Sequence, residues 1–237
     1  MAATATYQNY ADKVAAALAA YAAQTHKATH LQYGAAIAAQ TGRVLHAALD
    51  QTHDAGALVL IGYTMEGGRD QAMALRAAVA VELFHAILGL QASGDAEDQA
   101  AARAAESAAQ ILLANLEVDA EINRRAVSIM NRTLLLQAHA RTFQKTTPKA
   151  PQIAEWKALE RAVNPLHVGM VLAGADCHAT DGITPFATHL GLALIATDQV
   201  AANHYQAARR ALAAITHPWP QLMLQLLSDF LDRRVLH

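Results

Sequence analysis

Apolar residues recur along this chain at intervals of three and four positions, and strand-like alternation never survives more than a few residues. The pattern predicts an all-α protein of about ten helices. Residues 7–25 read as a first helix and 30–50 as a second, with Val44, Leu45, Ala48 and Leu49 on one side. A short apolar helix over 55–66 stops at Gly67-Gly68, a common C-terminal breaker. Asp70 is placed to cap the next helix, 71–91, which runs until Ser93-Gly94. Further helices are expected from 95 to about 118 and over 121–143. The stretch Lys145-Thr-Thr-Pro-Lys-Ala-Pro151 is the clearest loop, too short to link two domains. Beyond it the spacing predicts helices over 152–163, 165–178, 184–203 and 204–216, with Pro165 in a first turn. His217-Pro-Trp-Pro220 is a second sharp break before a terminal helix, 221–235. No internal repeat is present, so residues 1–237 are expected to form a single helical domain.

Composition sharpens this picture. The 237 residues are 54% hydrophobic but only 5% aromatic and 16% charged, so the core must be built from Ala, Leu, Ile, Val and Met. Alanine, the best helix former, supplies much of the excess and lets helices approach closely. The formal net charge of −2, without a basic stripe, removes the electrostatic footprint of a nucleic-acid binder. The single cysteine, Cys177, excludes an internal disulfide and suits a reducing compartment. Residues 1–10 have neither a positive n-region nor a long apolar run, so no signal peptide is expected. No membrane span is expected either; segment 186–202 comes closest and is broken by His189, Thr197, Asp198 and Gln199. A cytoplasmic protein follows from these features.

Residues 78–91, Ala-Val-Ala-Val-Glu-Leu-Phe-His-Ala-Ile-Leu-Gly-Leu-Gln, carry the first sign of an identity. They resemble the helix AAAxELLHTASLIH of trans-isoprenyl diphosphate synthases, which precedes the first aspartate-rich motif, DDxxD. Glu82, Leu83 and His85 match in place. Leu190-Gly-Leu-Ala193, followed by Asp198, resembles LGLAFQIxDDxxD, the second such motif. The short helix ending at Gly67-Gly68 sits where the family has one after GGKRxRP, and Val168-Gly-Met-Val-Leu-Ala-Gly174 is similar to LGAxLAGA. Order and spacing agree over about residues 50–205. The resemblance implies a helical bundle around a central cavity, with 71–91 and 184–203 facing one another across it.

The departures decide the chemistry. The positions of the first DDxxD hold Ala92, Ser93, Gly94, Asp95 and Ala96, and in the second only Asp198 survives. The GGK lysine falls at Thr52 and the two following arginines at His53 and Ala55. Lys157 corresponds to the family's KT lysine when counted back from Gly169; if Trp156 matches the preceding aromatic instead, no lysine remains. In the family, carboxylates at i, i+1 and i+4 share one helix face and hold magnesium against the diphosphate. One carboxylate cannot assemble that cluster, and most of the electrostatic stabilisation of the transition state goes with it.

Glu82, His85, Leu88, Gln91, Lys157, Leu194 and Asp198 are therefore expected to line a vestigial cavity without a catalytic residue. Asp95 and Asp98 are candidates for a displaced metal site, against which stands their use as a helix cap and first-turn acid. His85 reads equally as a cavity residue and as a core histidine with a backbone partner. His26 and His30, one turn apart without the HExxH glutamate, read as surface histidines, and Cys177 beside His178 as a buried thiol. Asp198 is either a remnant ligand or a polar residue at a helix end.

The resemblance implies a non-catalytic or regulatory subunit, a homodimer or a heteromer with a DDxxD-containing prenyl diphosphate synthase, with no cofactor. The alternatives are an active prenyltransferase with displaced acids, which would need magnesium, and an apolar-ligand-binding protein. The family interface falls on the helices after the first motif, so Leu116, Ile122, Ile129, Met130 and Leu134 are the interface candidates.

Overall fold

The computed structural model describes residues 7–147, 151–216, 219, 225, 227 and 228, the side chains of Lys145 and Pro151 apart. Among the described residues there are ten α-helices, one π-helical turn and no strand. α1 (Tyr7–Tyr33) and α2 (Ala35–Leu49) form a hairpin that turns at Gly34, whose φ of 83° suits a residue without a Cβ. α1 buries Tyr7, Ala11, Val14, Leu18 and Ala22, a stripe one residue per turn wide.

α3 (Asp54–Met65) and α4 (Gln71–Ala92) form the interior. Ten of the twelve α3 residues are buried, as expected of a helix that is apolar all round. Each fully buried Leu58 or Ile61 contributes roughly 1.5–3 kcal/mol. α3 lies against α8 (Asn164–Leu172) at a distance only glycine permits. A Cβ on Gly169 would sit 2.0 Å from the Val59 carbonyl oxygen. α4 has the length and hydropathy of a membrane span, but 78% of its apolar window is buried among the other helices. That helix, and not 186–202, is the most span-like segment.

α5 (Ala96–Ala114) packs on α4 and α2, and α6 (Ala120–Thr146) on α8. α7 (Pro151–Ala158) passes into the π turn, Leu159–Val163, and so into α8. α9 (Cys177–Ile195) pairs with α10 (Asp198–Ala213). One core fills the space among α1 to α6 and α8, and a second joins α3 and α8 to α9, α10, Trp219 and Leu227.

Several boundaries differ from those expected. The α8 helix ends at Leu172, before Gly174 (φ 96°), and Asp176 caps α9 by accepting from the Ala179 N–H. Helix α9 then runs straight through Pro185. The predicted helix 184–203 is two elements, parted at Ala196 and Thr197, both in extended conformation. α6 continues through Lys145 and Thr146, so the expected loop is shorter. Of the predicted terminal helix, only Gln225, Leu227 and Ser228 are described, and all three are helical. The rest of 221–235 lies outside the described residues.

Candidate functional site

α3, α4, α6, α7, the π turn and α9 surround a cavity of about 840 Å³. α4 and the end of α9 both line it, through Leu88, Gly89 and Ala92 on one helix and Leu194 and Ile195 on the other. The size falls within the range of small-molecule sites.

The floor of the cavity is polar and buried. Glu82, 1% exposed, reaches from the middle of α4 to the start of α3, where Oε1 accepts from the Gly56 N–H at 2.6 Å. Gly56 is in the first turn of α3, so a carboxylate from another helix satisfies one of its orphan donors and complements its dipole. The position admits no larger residue, because a Cβ on Gly56 would lie 2.6 Å from Val14 Cγ1 and 3.0 Å from Glu82 Oε1. Asp54, the first residue of α3, accepts from the Tyr7 hydroxyl and from the Thr52 hydroxyl.

Immediately before Asp54 the chain turns through His53 in the left-handed region, φ 57°. A non-glycine residue there costs of order 1–3 kcal/mol. The turn sends the ring inward: His53 is 9% exposed, lines the cavity, and its Nδ1 has no hydrogen-bond partner. Glu82 Oε2 stands 3.9 Å away, beyond bonding distance. His85, one turn beyond Glu82, holds the Glu160 carbonyl through Nε2 at 3.0 Å. Glu160 belongs to the π turn, a distortion that turns its side chain inward as well.

The α6–α7 wall is cationic. Arg141 and Lys157 line it, Arg161 of the π turn adds a third cation, and Gln137 of α6 ties the wall together by donating to the Trp156 carbonyl at 3.3 Å. The side chains expected at the cavity divide accordingly. Glu82, His85, Leu88, Lys157 and Leu194 line it. Gln91 does not, because it turns to Glu106 of α5. Nor does Asp198, which is exposed at the start of α10 with φ 53°, past the break that ends α9. Both readings of His85 hold together: it is a cavity residue with a backbone partner. His53, Arg141, Glu160 and Arg161 were not foreseen, and only the match of His53 to a family arginine position offered a signal.

The rim where α4 and α9 end carries no carboxylate pair. Asp95 caps α5, accepting from the Glu97 and Asp98 N–H groups, and those bonds hold its carboxyl below the usual range. Asp98 accepts from the Ser93 hydroxyl, and both Glu97 and Asp98 pair with Arg43 of α2. Among the described residues no three His, Cys, Asp or Glu side chains gather to hold a metal ion. The described residues therefore do not fit a magnesium cluster.

Two further expectations are corrected. Cys177 is exposed, as the first residue of α9, and not a buried thiol. Met130, 1% exposed, and Leu116 lie inside the protomer, and Ile122, Ile129 and Leu134 are partly buried against the same core. The reason is the phase of α6, whose Ala126, Met130, Thr133 and Gln137 all point inward. The exposed large apolar side chains described on α5 and α6 are Ile111 and Leu135, each 58% exposed, with Phe143. His26 and His30 are both on the surface of α1.

No protein family matches the chain, and no characterised protein matches it by sequence. Solved structures do match by shape. The small subunit of geranyl diphosphate synthase from Antirrhinum majus superposes with a TM-score of 0.71 at 14% identity, over 96% of this chain and 99% of that one. A deletion mutant of the heterotetrameric geranyl pyrophosphate synthase of mint gives 0.70 at 15% identity, over 94% and 98%. A geranyltransferase from Helicobacter pylori, complexed with magnesium and isoprenyl diphosphate, gives 0.68 at 14% identity, over 82% and 88%. The chain has the all-α fold of the isoprenyl diphosphate synthases.

Proposed function

We propose that the chain, folded as one helical domain, is a non-catalytic partner of a trans-isoprenyl diphosphate synthase and acts in the cytoplasm. One observation carries the reading: the fold and its cavity are complete, while the ends of α4 and α9 hold no facing carboxylates. Ionisation of an allylic diphosphate needs charge neutralisation at the leaving group, and the described rim has no facing carboxylates to hold a metal there. The acids nearest the rim, Asp95 and Asp98, are committed to capping α5 and to Arg43 and Ser93, which argues against a displaced metal cluster. The likeness to a small subunit and to a heterotetrameric synthase supports a partner role.

The surface offered to the partner would centre on Ile111 and Leu135, exposed apolar side chains of α5 and α6. The test is co-expression with the host's DDxxD-containing synthases, followed by co-purification and product analysis. A stable complex with altered product length or yield is expected, and the chain alone should not condense isopentenyl diphosphate with allylic diphosphates in magnesium. A monomer that ignores every such synthase, or turnover by the chain alone, ends this reading. The cavity supports a second reading, the binding of an apolar ligand.

A further inference from the structure

The hairpin of α1 and α2 ends in a surface that neither the cavity nor the partner face uses. Beyond Ala22 no residue of α1 is buried, and Ala38 is the one buried residue of α2 before Val44. The helix from Ala22 to Tyr33 carries the tip roughly 16 Å past the last buried position of α1. That tip is apolar. From Leu31 to Ile37 the residues are Leu, Gln, Tyr, Gly, Ala, Ala and Ile, every one exposed and none charged. Leu31 is 77% exposed, and Leu31, Tyr33 and Ile37 are three of the eight large apolar side chains exposed among the described residues. A consecutive exposed run of this kind works against solubility unless something covers it. The turn also keeps part of its backbone paired. The Gly34 N–H donates to the His30 carbonyl and the Ala38 N–H to the Gly34 carbonyl, which lowers the cost of moving the tip out of water.

Charge selects what covers it. Between Asp12 and Asp50 the sequence has no acidic residue, whereas Lys13, Lys27 and Arg43 fall inside that span with His26, His30 and His46. The acids of the adjoining α5 are engaged, Glu97 and Asp98 with Arg43 and Glu106 with Gln91. Lys27, one turn before Leu31, has no ion pair with another described residue. An ammonium one turn behind an apolar tip matches an anionic lipid interface in depth, with the tip among acyl chains and the charge at the phosphates. Tyr33, an apolar ring with a polar end, suits the same boundary. Pairing with a second copy of the hairpin would bring like charges together.

We infer that the α1–α2 tip docks on an anionic lipid surface, with Leu31, Tyr33 and Ile37 in its apolar layer and Lys27 at its head groups. The inference does not rest on the partner-subunit reading, whose surface lies on α5 and α6, so the two fail separately.

Co-sedimentation of the full chain with vesicles tests it, using phosphatidylcholine alone and phosphatidylcholine mixed with phosphatidylserine. At low salt the chain is expected to bind the mixed vesicles at least roughly fivefold more tightly than the neutral ones. The double substitution Leu31→Ser with Ile37→Ser should weaken that binding by at least roughly tenfold, and Lys27→Gln by roughly fivefold. These side chains are exposed, so helix content by circular dichroism should stay unchanged. Leu135→Ser, on the α6 face, should leave vesicle binding as it was. Failure to sediment with mixed vesicles overturns the inference, as does equal binding to neutral ones. Unchanged binding in the double variant overturns it too, and so does loss of binding in Leu135→Ser. A dimer in light scattering that the tip substitutions dissolve, without any vesicle binding, would assign the tip to a second copy instead.

Discussion

The floor and the rim of the cavity are built from the same helices but serve different ends. On the floor, Glu82 and His85 of α4 are buried and bonded across to α3 and the π turn. Two turns further along α4, at the rim, stand Ala92 and Ser93, and the acids beyond them turn outward to α5 and α2. The floor groups hold the fold together whatever the cavity does. Carboxylates at the rim would serve only a bound cation. A chain can therefore dispense with the second and keep the first without losing its architecture, which is the pattern seen here.

The contrast can be broken by substitution. Glu82→Leu should have the largest effect, because it strands the Gly56 N–H inside the protein; a loss of about 3 kcal/mol in urea unfolding is expected. A loss under about 1 kcal/mol would show that the floor is not structural. His85→Leu removes one buried bond to the π turn and should cost about 1–2 kcal/mol by the same measurement. Asp95→Ala, at an exposed cap, should lower Tm by less than either floor change.

Acid sharpens the Asp95 result. Its carboxyl is held below the ordinary aspartate value of 3.8 by the Asp98 and Glu97 N–H groups, so its stabilisation is full above that value. It is lost as pH falls through the lowered pKa in the folded chain, and the gap in Tm between wild type and Asp95→Ala should close there. Magnesium at neutral pH should leave the wild-type Tm unchanged; a rise abolished by Asp95→Ala or Asp98→Ala would restore the metal reading. Smallest of all, Ala92→Asp should leave unfolding unaltered, since nothing at the rim depends on that side chain.

The sequence was most legible where periodicity is long and uninterrupted. α3 and α4 are placed almost to the residue, because Gly67-Gly68 and the Asp70 cap bracket them. It misled near Pro185, which resembles a helix start but lies inside α9, while the true break at Ala196-Thr197 contains neither glycine nor proline. That single shift moved Asp198 from the cavity to the surface. The floor was half visible. Glu82 and His85 carry the resemblance, but their partners Gly56 and Glu160 are 26 and 75 residues away, and no spacing rule links them. Two of the interface candidates, Leu116 and Met130, were misplaced for a simpler reason. An apolar-rich helix does not declare which of its faces meets its own core, and Met130 faces inward.

The placement of the two tryptophans gives the protein a built-in optical map. Trp156 sits on the wall beside the cavity, edge-on to the Phe143 ring at 5.6 Å and near His139. Trp219 is buried at the other core, where its indole N–H donates to Glu66 Oε1 at 2.8 Å, beyond the end of α3. Emission from the first responds to events at the α6–α7 wall, and emission from the second to whether Trp219 stays in its core. With each tryptophan replaced in turn by phenylalanine, loosening of the cavity and release of the other tryptophan from its core become two separately timed signals from one label-free chain.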